Sequence, residues 1–270
     1  MRTTAQIHML SRTATLLLVL AAAIPARAVP LIVNGGFESG FAAWTIADAI
    51  GSDGTFFLQS GTASPINSDP VPAPPGGSFA AMTDAEGPGS HVLYQDFIVP
   101  ASPGTAVLSF DLFIGNRAAE FVTPAPATLD FSTPALNQQA RVDILRAGTD
   151  PFSVMATDVL LSLFQTNPGD PLISGYTSFS ADLTALLDAN AGQTLRLRFA
   201  EVDNLFIFQL GVDNVSLETQ AVVPEPSSWL LLATGLGALL ISWRVAMPRR
   251  HRGSTANEPG SGDSRSRNPS

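Results

Sequence analysis

The chain has 270 residues and a formal net charge of −9. It contains no cysteine, which excludes disulfide staples, Cys-ligated zinc, thiol catalysis and haem attachment through cysteine. All 14 basic residues are arginines, and the stretch 29–220 holds 20 of the 23 acidic residues against only five of them, so that stretch sits near −15 and suits no nucleic acid partner.

Met1 to Ala28 carries Arg2 and Arg12, then small and apolar residues from Thr13 to Ile24, then Ala26-Arg27-Ala28. A basic start, an apolar middle and an A-x-A site make a secretory signal peptide, 1–28, with a mature N-terminus expected at Val29. The next stretch, 29–220, is about 190 residues long, enough for one domain with a core of its own.

Within it, Leu31 to Glu38 reads Leu-Ile-Val-Asn-Gly-Gly-Phe-Glu and is followed by Gly40, Phe41, Trp44 and Thr45. Asp84-Ala85-Glu86-Gly87-Pro88-Gly89 reads as a turn. His91 to Val99 reads as a strand containing Leu93-Tyr94-Gln95-Asp96-Phe97, with His91 a partly exposed strand residue. In Val107 to Ile114, the residues Leu108, Phe110, Leu112 and Ile114 fall on one face. Ala140 to Ile144 alternates in the same way. Asp182 to Ala189 suits one short helical turn. Thr194 to Phe199 alternates with Arg196 and Arg198 outward, and Glu201-Val202-Asp203-Asn204 reads as a strand-end loop. Leu205 to Leu217 forms a further strand that includes Phe206 and Phe208. Gly- and Pro-rich stretches at 69–77, 123–126 and 167–171 separate these runs. Period-two alternation with one wet face predicts an all-β sandwich.

The opening Leu31–Thr45 run, the Leu93–Phe97 strand and the closing Val212-Asp213-Asn214-Val215-Ser216-Leu217 strand together resemble carbohydrate-binding-module jelly rolls of the galactose-binding type. The resemblance implies that the first and last strands lie near each other. Glu38 and Asp213 would then share a structural calcium ion, which takes mixed carboxylate and carbonyl oxygens. Their other reading is as solvated turn residues or as acceptors of backbone amides. The resemblance also implies a polysaccharide ligand, for which Tyr94, Tyr176 and Phe206 are the candidate contacts. Trp44 fits the core better than a binding platform, Tyr176 also suits a loop anchor, and a hydrophobic strand also accounts for Phe206.

Catalysis has little to build on. His91 is the one histidine of the domain, so no Ser-His-Asp set can be assembled. A glycosidase needs only two carboxylates. Asp84 with Glu86, or Glu201 with Asp203, can be nominated, and either pair can instead bind a cation. The reading is a non-enzyme.

The C-terminal region contains Pro224-Glu225-Pro226 in a linker, 221–226. An apolar span, 227–247, is bracketed by Trp229 and Trp243. Its core is about 22 Å long at 1.5 Å per residue and needs its flanking residues to cross a hydrocarbon slab of about 30 Å. Arg244, Arg249, Arg250 and Arg252 follow, so a tail at 248–270 is expected to be cytoplasmic. A Pro-Glu-Pro motif, one span and basic residues resemble the PEP-CTERM sorting signal of exported bacterial envelope proteins. The resemblance implies an exosortase-type membrane protease as partner, a membrane-held precursor, and a final place at the cell surface or in an exopolysaccharide biofilm matrix. The usual tail stops soon after the basic cluster, whereas this one runs on from Gly253 to Ser270. The functional expectation is a surface or matrix protein that binds exopolysaccharide. The alternatives are a structural or adhesive matrix protein without a specific glycan, and a glycoside hydrolase.

Overall fold

The computed structural model describes residues 28–220 and 235–237. Residues 1–27 of the expected signal peptide, the motif residues Pro224, Glu225 and Pro226, and the basic residues Arg249 and Arg250 lie outside the described residues, as does nearly all of the expected span. Among the described residues, no helix is long and apolar enough to cross a membrane.

The described chain runs through β1 (Ala28–Pro30), β2 (Thr45–Asp48), β3 (Thr55–Gln59), β4 (Ala80–Asp84), β5 (Gly89–Ile98), β6 (Thr105–Asn116), β7 (Gln138–Arg146), β8 (Val159–Gln165), β9 (Thr177–Asp182), α1 (Thr184–Ala189), β10 (Thr194–Asp203) and β11 (Phe208–Gln220). One sheet has the order β3-β4-β11-β6-β9, with β1 also paired to β11, and the other has the order β2-β5-β10-β7-β8. Every pairing is antiparallel.

The core lies between the two sheets, where their inward phases meet. Leu108, Phe110, Leu112 and Ile114 of β6 join Leu210, Val212 and Leu217 of β11 from one side. Leu93 and Phe97 of β5 and Leu195, Leu197 and Phe199 of β10 come from the other. Burying each such side chain is worth roughly 1.5–3 kcal/mol. Trp44 belongs to this core, with its ring 5.3 Å from Phe37 and 6.1 Å from Phe199. Its Nε1 donates to the Asn34 carbonyl at 3.0 Å.

The first and last strands are neighbours. Val29 of β1 pairs with Thr219 of β11. The opening turn then packs so close to β11 that a Cβ on Gly35 would stand 1.8 Å from the Val215 carbonyl oxygen. Only glycine fits there. The Val215 amide donates to the Gly35 carbonyl at 2.9 Å across the same contact.

The alternation of β10 does direct Arg196 and Arg198 away from the core, but that face is not wet. Their exposures are 5% and 0%. The segment after β7 folds across the sheet and places carbonyls over both guanidiniums. Arg196 Nη1 donates to Thr149 at 3.1 Å, and Arg198 Nη1 donates to Pro151 and Ser153 at 2.7 Å each. Asp96 pairs with Arg196, and Asp143 pairs with both Arg141 and Arg198. The strand expected from Leu205 begins instead at Phe208, and residues 204–207 form the turn between β10 and β11.

Candidate functional site

Glu38 and Asp213 converge on one loop. Glu38 Oε1 accepts the amides of Ser78 at 2.8 Å and Phe79 at 3.0 Å. Asp213 Oδ2 accepts Gly76 at 3.0 Å, and its Oδ1 accepts Asn214 at 2.7 Å. The amide-accepting reading left open by the sequence is therefore present at both carboxylates. Burial pushes the Asp213 carboxyl up to about 6, the two amides pull it down, and the charges of Asp111 and Glu38 push it further up. A cation would relieve that repulsion. Carboxylate oxygens are the ligand type that calcium takes, so the two residues suit it by donor type.

The three nominated aromatics are not brought together. Tyr94 packs on the outer face of the β5 sheet beside Val92 and Ala200, with the Arg196 guanidinium 3.8 Å above its ring centroid. One face of the ring is thus already occupied. Tyr176 packs on Phe113, with ring centroids 5.9 Å apart, and its hydroxyl reaches Gln59 Oε1 at 3.4 Å. Burial, then the charges of Asp213 and Asp111, push its phenol above the ordinary range. Phe206 alone is an open platform, 58% exposed at the tip of the β10–β11 turn.

That turn is held from several sides. Gln138 is fully buried, and its Nε2 donates to the Phe206 carbonyl at 2.8 Å while its Oε1 accepts the Leu205 amide at 3.1 Å. Asn204 donates to the carbonyls of Phe131 and Ala135 and accepts the Asn137 amide. The Arg117 amide donates to the Ile207 carbonyl at 2.9 Å. Beside the turn lies a cavity of about 180 Å³ walled by Glu86, Pro88, Asp203, Leu205, Phe206 and Ile207. An aromatic face therefore adjoins two carboxylates on a fixed backbone.

Behind Asp203 lies a buried polar group at the end of the core. His91 and Glu201 are directly opposed in the β5–β10 register, and Asp203 is opposed to Gly89. Their exposures are 1%, 1% and 3%. One ligating atom from each of His91, Glu201 and Asp203 lies within 4.8 Å of the other two, the one such trio among the described residues. His91 Nδ1 meets Asp48 Oδ1 at 2.7 Å. Asp203 Oδ1 accepts the Gly89 amide at 2.8 Å. His91 Nε2 and Glu201 Oε1 are buried without a hydrogen-bond partner. Burial, then the Asp203 charge, raises the Glu201 carboxyl well above the usual range. Burial pushes Asp203 up to about 7 against the pull of the Gly89 amide and His91.

The sequence expectation for His91 and Glu201 is corrected here: His91 is not partly exposed, and Glu201 to Asp203 is strand rather than loop. The signal was in the alternation. Glu201 and Asp203 continue the phase of Leu195, Leu197 and Phe199, and His91 shares the phase of Leu93 and Phe97. Of the other nominated pair, Asp84 is fully buried. It accepts the amides of Ile66 and Asn67, at 2.6 and 2.9 Å, and the Asn67 side chain at 2.6 Å.

No family model and no curated protein matches this chain. Solved structures similar to it include TmCBM61 with β-1,4-galactotriose, 12% identical over 70% of this chain and 97% of that one, with a TM-score of 0.35. The K3 cleaved adhesin domain of Lys-gingipain from Porphyromonas gingivalis W83 is 15% identical over 70% of this chain and 99% of its own, with a TM-score of 0.41. The Stig cyclase Fisc from Fischerella sp. TAU is 16% identical over 73% of this chain and 100% of its own, with a TM-score of 0.42. Scores below 0.5 leave function to the chain's own residues.

Proposed function

We propose that this chain is an exported, non-catalytic jelly-roll module that binds extracellular polysaccharide at the β10–β11 turn. The observation that carries the reading is Phe206, 58% exposed beside the acid-lined cavity of about 180 Å³ on a turn pinned by buried side chains. A rigid aromatic face stacks on a sugar ring at little entropic cost, and convergent polar groups orient its hydroxyls. The Glu86 carboxylate, exposed at the cavity wall, is the hydroxyl partner. The ligand is a neutral polysaccharide, because the 29–220 stretch is near −15 and its arginines are already engaged: Arg117, Arg141, Arg196 and Arg198 in ion pairs, Arg146 on a backbone carbonyl. A negatively charged glycan would be repelled.

Burial of Asp84 and Glu201 supports the non-catalytic reading, since neither carboxylate can flank a glycosidic bond. Affinity electrophoresis of the protein through gels containing neutral polysaccharides, the producer's own included, tests the proposal. Retardation by at least one of them is expected, and free migration through all of them refutes it.

Two further parts of the reading rest on residues named in the sequence. Pro224, Glu225 and Pro226, with Arg249 and Arg250, direct processing by an exosortase-type protease and placement at the cell surface or in the matrix. Unchanged processing after Glu225→Ala would contradict that. Glu38 and Asp213 hold a structural calcium ion, which ties the opening turn to β11. A melting midpoint that does not fall with chelator would contradict that.

A further inference from the structure

The buried end of the core carries a second site, which shares Asp203 with the wall of the cavity beside Phe206. His91 Nδ1 faces the Asp48 carboxylate at 2.7 Å. A carboxylate only accepts, so Nδ1 is the donor, and in the neutral imidazole Nε2 then carries the lone pair. That lone pair is buried without a partner, and so is Glu201 Oε1 across the strand pair. Buried polar atoms in native proteins are almost always satisfied, and each exception calls for a missing partner. Here two exceptions sit together with Asp203, their ligating atoms within 4.8 Å of one another.

Among the described residues, no arginine supplies the missing charge. Arg117 pairs with Asp69, Arg141 and Arg198 with Asp143, and Arg196 with Asp96, while Arg146 donates to the Thr157 carbonyl. Gly89 packs directly against the imidazole, where a Cβ would stand 2.3 Å from Nε2.

We infer that His91 Nε2, Glu201 and Asp203 bind a divalent transition-metal ion of the Zn²⁺ class, with Asp48 orienting the histidine. One imidazole nitrogen and two carboxylate oxygens suit a borderline ion, whereas calcium and magnesium take oxygen alone. Ligands about 2.0–2.2 Å from one ion stand at most about 4.4 Å apart. Three ligands of one tetrahedral ion stand nearer, roughly 3.3–3.6 Å from one another, so the trio, with ligating atoms within 4.8 Å, closes on a metal by side-chain shifts of up to about an ångström. The Asp48–His91–metal line is the carboxylate–histidine arrangement that fixes ring orientation and raises ligand basicity. Asp203 also lines the cavity beside Phe206, so a remaining coordination position opens to water there. The ion would join β5 to β10 at the end of the core.

The test is calorimetric titration of the purified full chain with Zn²⁺, paired with visible spectroscopy of Co²⁺ in its place. One equivalent of Zn²⁺ should bind. His91→Ala and Glu201→Gln should each weaken it at least about 100-fold, and Asp48→Asn, a positioning change, about 10- to 100-fold. Co²⁺ should give the intense bands of a four- or five-coordinate site in the unaltered protein, a readout that needs no variant to fold. Binding unchanged by His91→Ala would place the ion elsewhere and overturn the assignment. A cobalt spectrum matching the hydrated ion would overturn it as well. None of these outcomes depends on polysaccharide binding.

Discussion

Asp143→Ala should be among the most destabilising single changes on the outer face of the β10 sheet. Asp143 is fully buried on β7 and is shared by two guanidiniums. Arg141 donates Nε and Nη2 to it at 2.7 Å each, and Arg198 donates Nη2. Burial already pulls the Arg198 guanidinium below its ordinary value, and the Asp143 charge is what opposes that pull. Removing the acid leaves two buried cations side by side. Breaking a buried pair in this way costs about 3–5 kcal/mol. A domain of this size has roughly 5–15 kcal/mol of stability in total. Each kcal/mol moves the melting midpoint by about 2–4 °C, so the expected drop is roughly 6–20 °C. Urea unfolding followed by far-ultraviolet circular dichroism measures the free energy, and a calorimetric scan measures the midpoint. Replacing all three residues by apolar ones, Asp143→Leu with Arg141→Met and Arg198→Met, should restore most of the loss, because no charge is then stranded. A loss below about 1 kcal/mol for Asp143→Ala would refute the reasoning, since that is the cost of a solvated surface pair.

Burial pushes the Asp84 carboxyl up, but the Asn67 and Ile66 amides with the Asn67 and Ser64 side chains outweigh it and leave the group below its ordinary value. Its stabilising contribution is therefore complete above the unfolded-state value near 4 and is lost as pH falls through the lower folded-state value. Asp84→Asn should flatten the stability profile below about pH 4, and an unchanged acid limb in equilibrium unfolding would contradict this. Gly35→Ala forces a Cβ to within 1.8 Å of the Val215 carbonyl oxygen, so the opening turn must separate from β11. The expected cost is at least about 2 kcal/mol, and hydrogen exchange should quicken at the Val215 amide; unchanged protection there would count against the contact. Gln138→Ala removes both hydrogen bonds to the Phe206 turn. It should weaken polysaccharide binding several-fold while leaving Phe206 in place, and unchanged affinity in a titration would show that the turn needs no such support.

Much of the sandwich was legible because period-two alternation is a local property. Leu108, Phe110, Leu112 and Ile114 declared the core face of β6 without reference to any other strand. What was not legible depended on distant pairing. Arg196 and Arg198 carry the pattern of a wet face, and only the carbonyls of Thr149, Pro151 and Ser153, some 45 residues away in sequence, make that face dry. The opposition of His91 to Glu201 is a β5–β10 register that spans 110 positions of the chain, so the sequence held both residues without placing them together. Their phase was nonetheless readable, since both fall in step with leucines of their own strands. Phe206 was nominated from a strand and lies in a turn, because Gln138 and Asn204 capture the backbone at 204–206 before β11 begins. For Glu38 and Asp213, sequence resemblance placed both near the opening turn, and the structure shows the 76–79 amides that each of them accepts.

The central claim is that Phe206 is the platform for a neutral polysaccharide. Titration calorimetry of the unaltered protein and of Phe206→Ala against the polysaccharide that retards the protein in gels tests it most directly. The ring is exposed and makes no core contact, so its removal should leave the melting midpoint within a degree or two. The expected result is saturable binding that weakens at least about tenfold in the variant, roughly 1.4 kcal/mol. Equal affinity in the two proteins would contradict the account and move the ligand elsewhere, first to the depression of about 500 Å³ beside Asp48, Ile50 and Phe152.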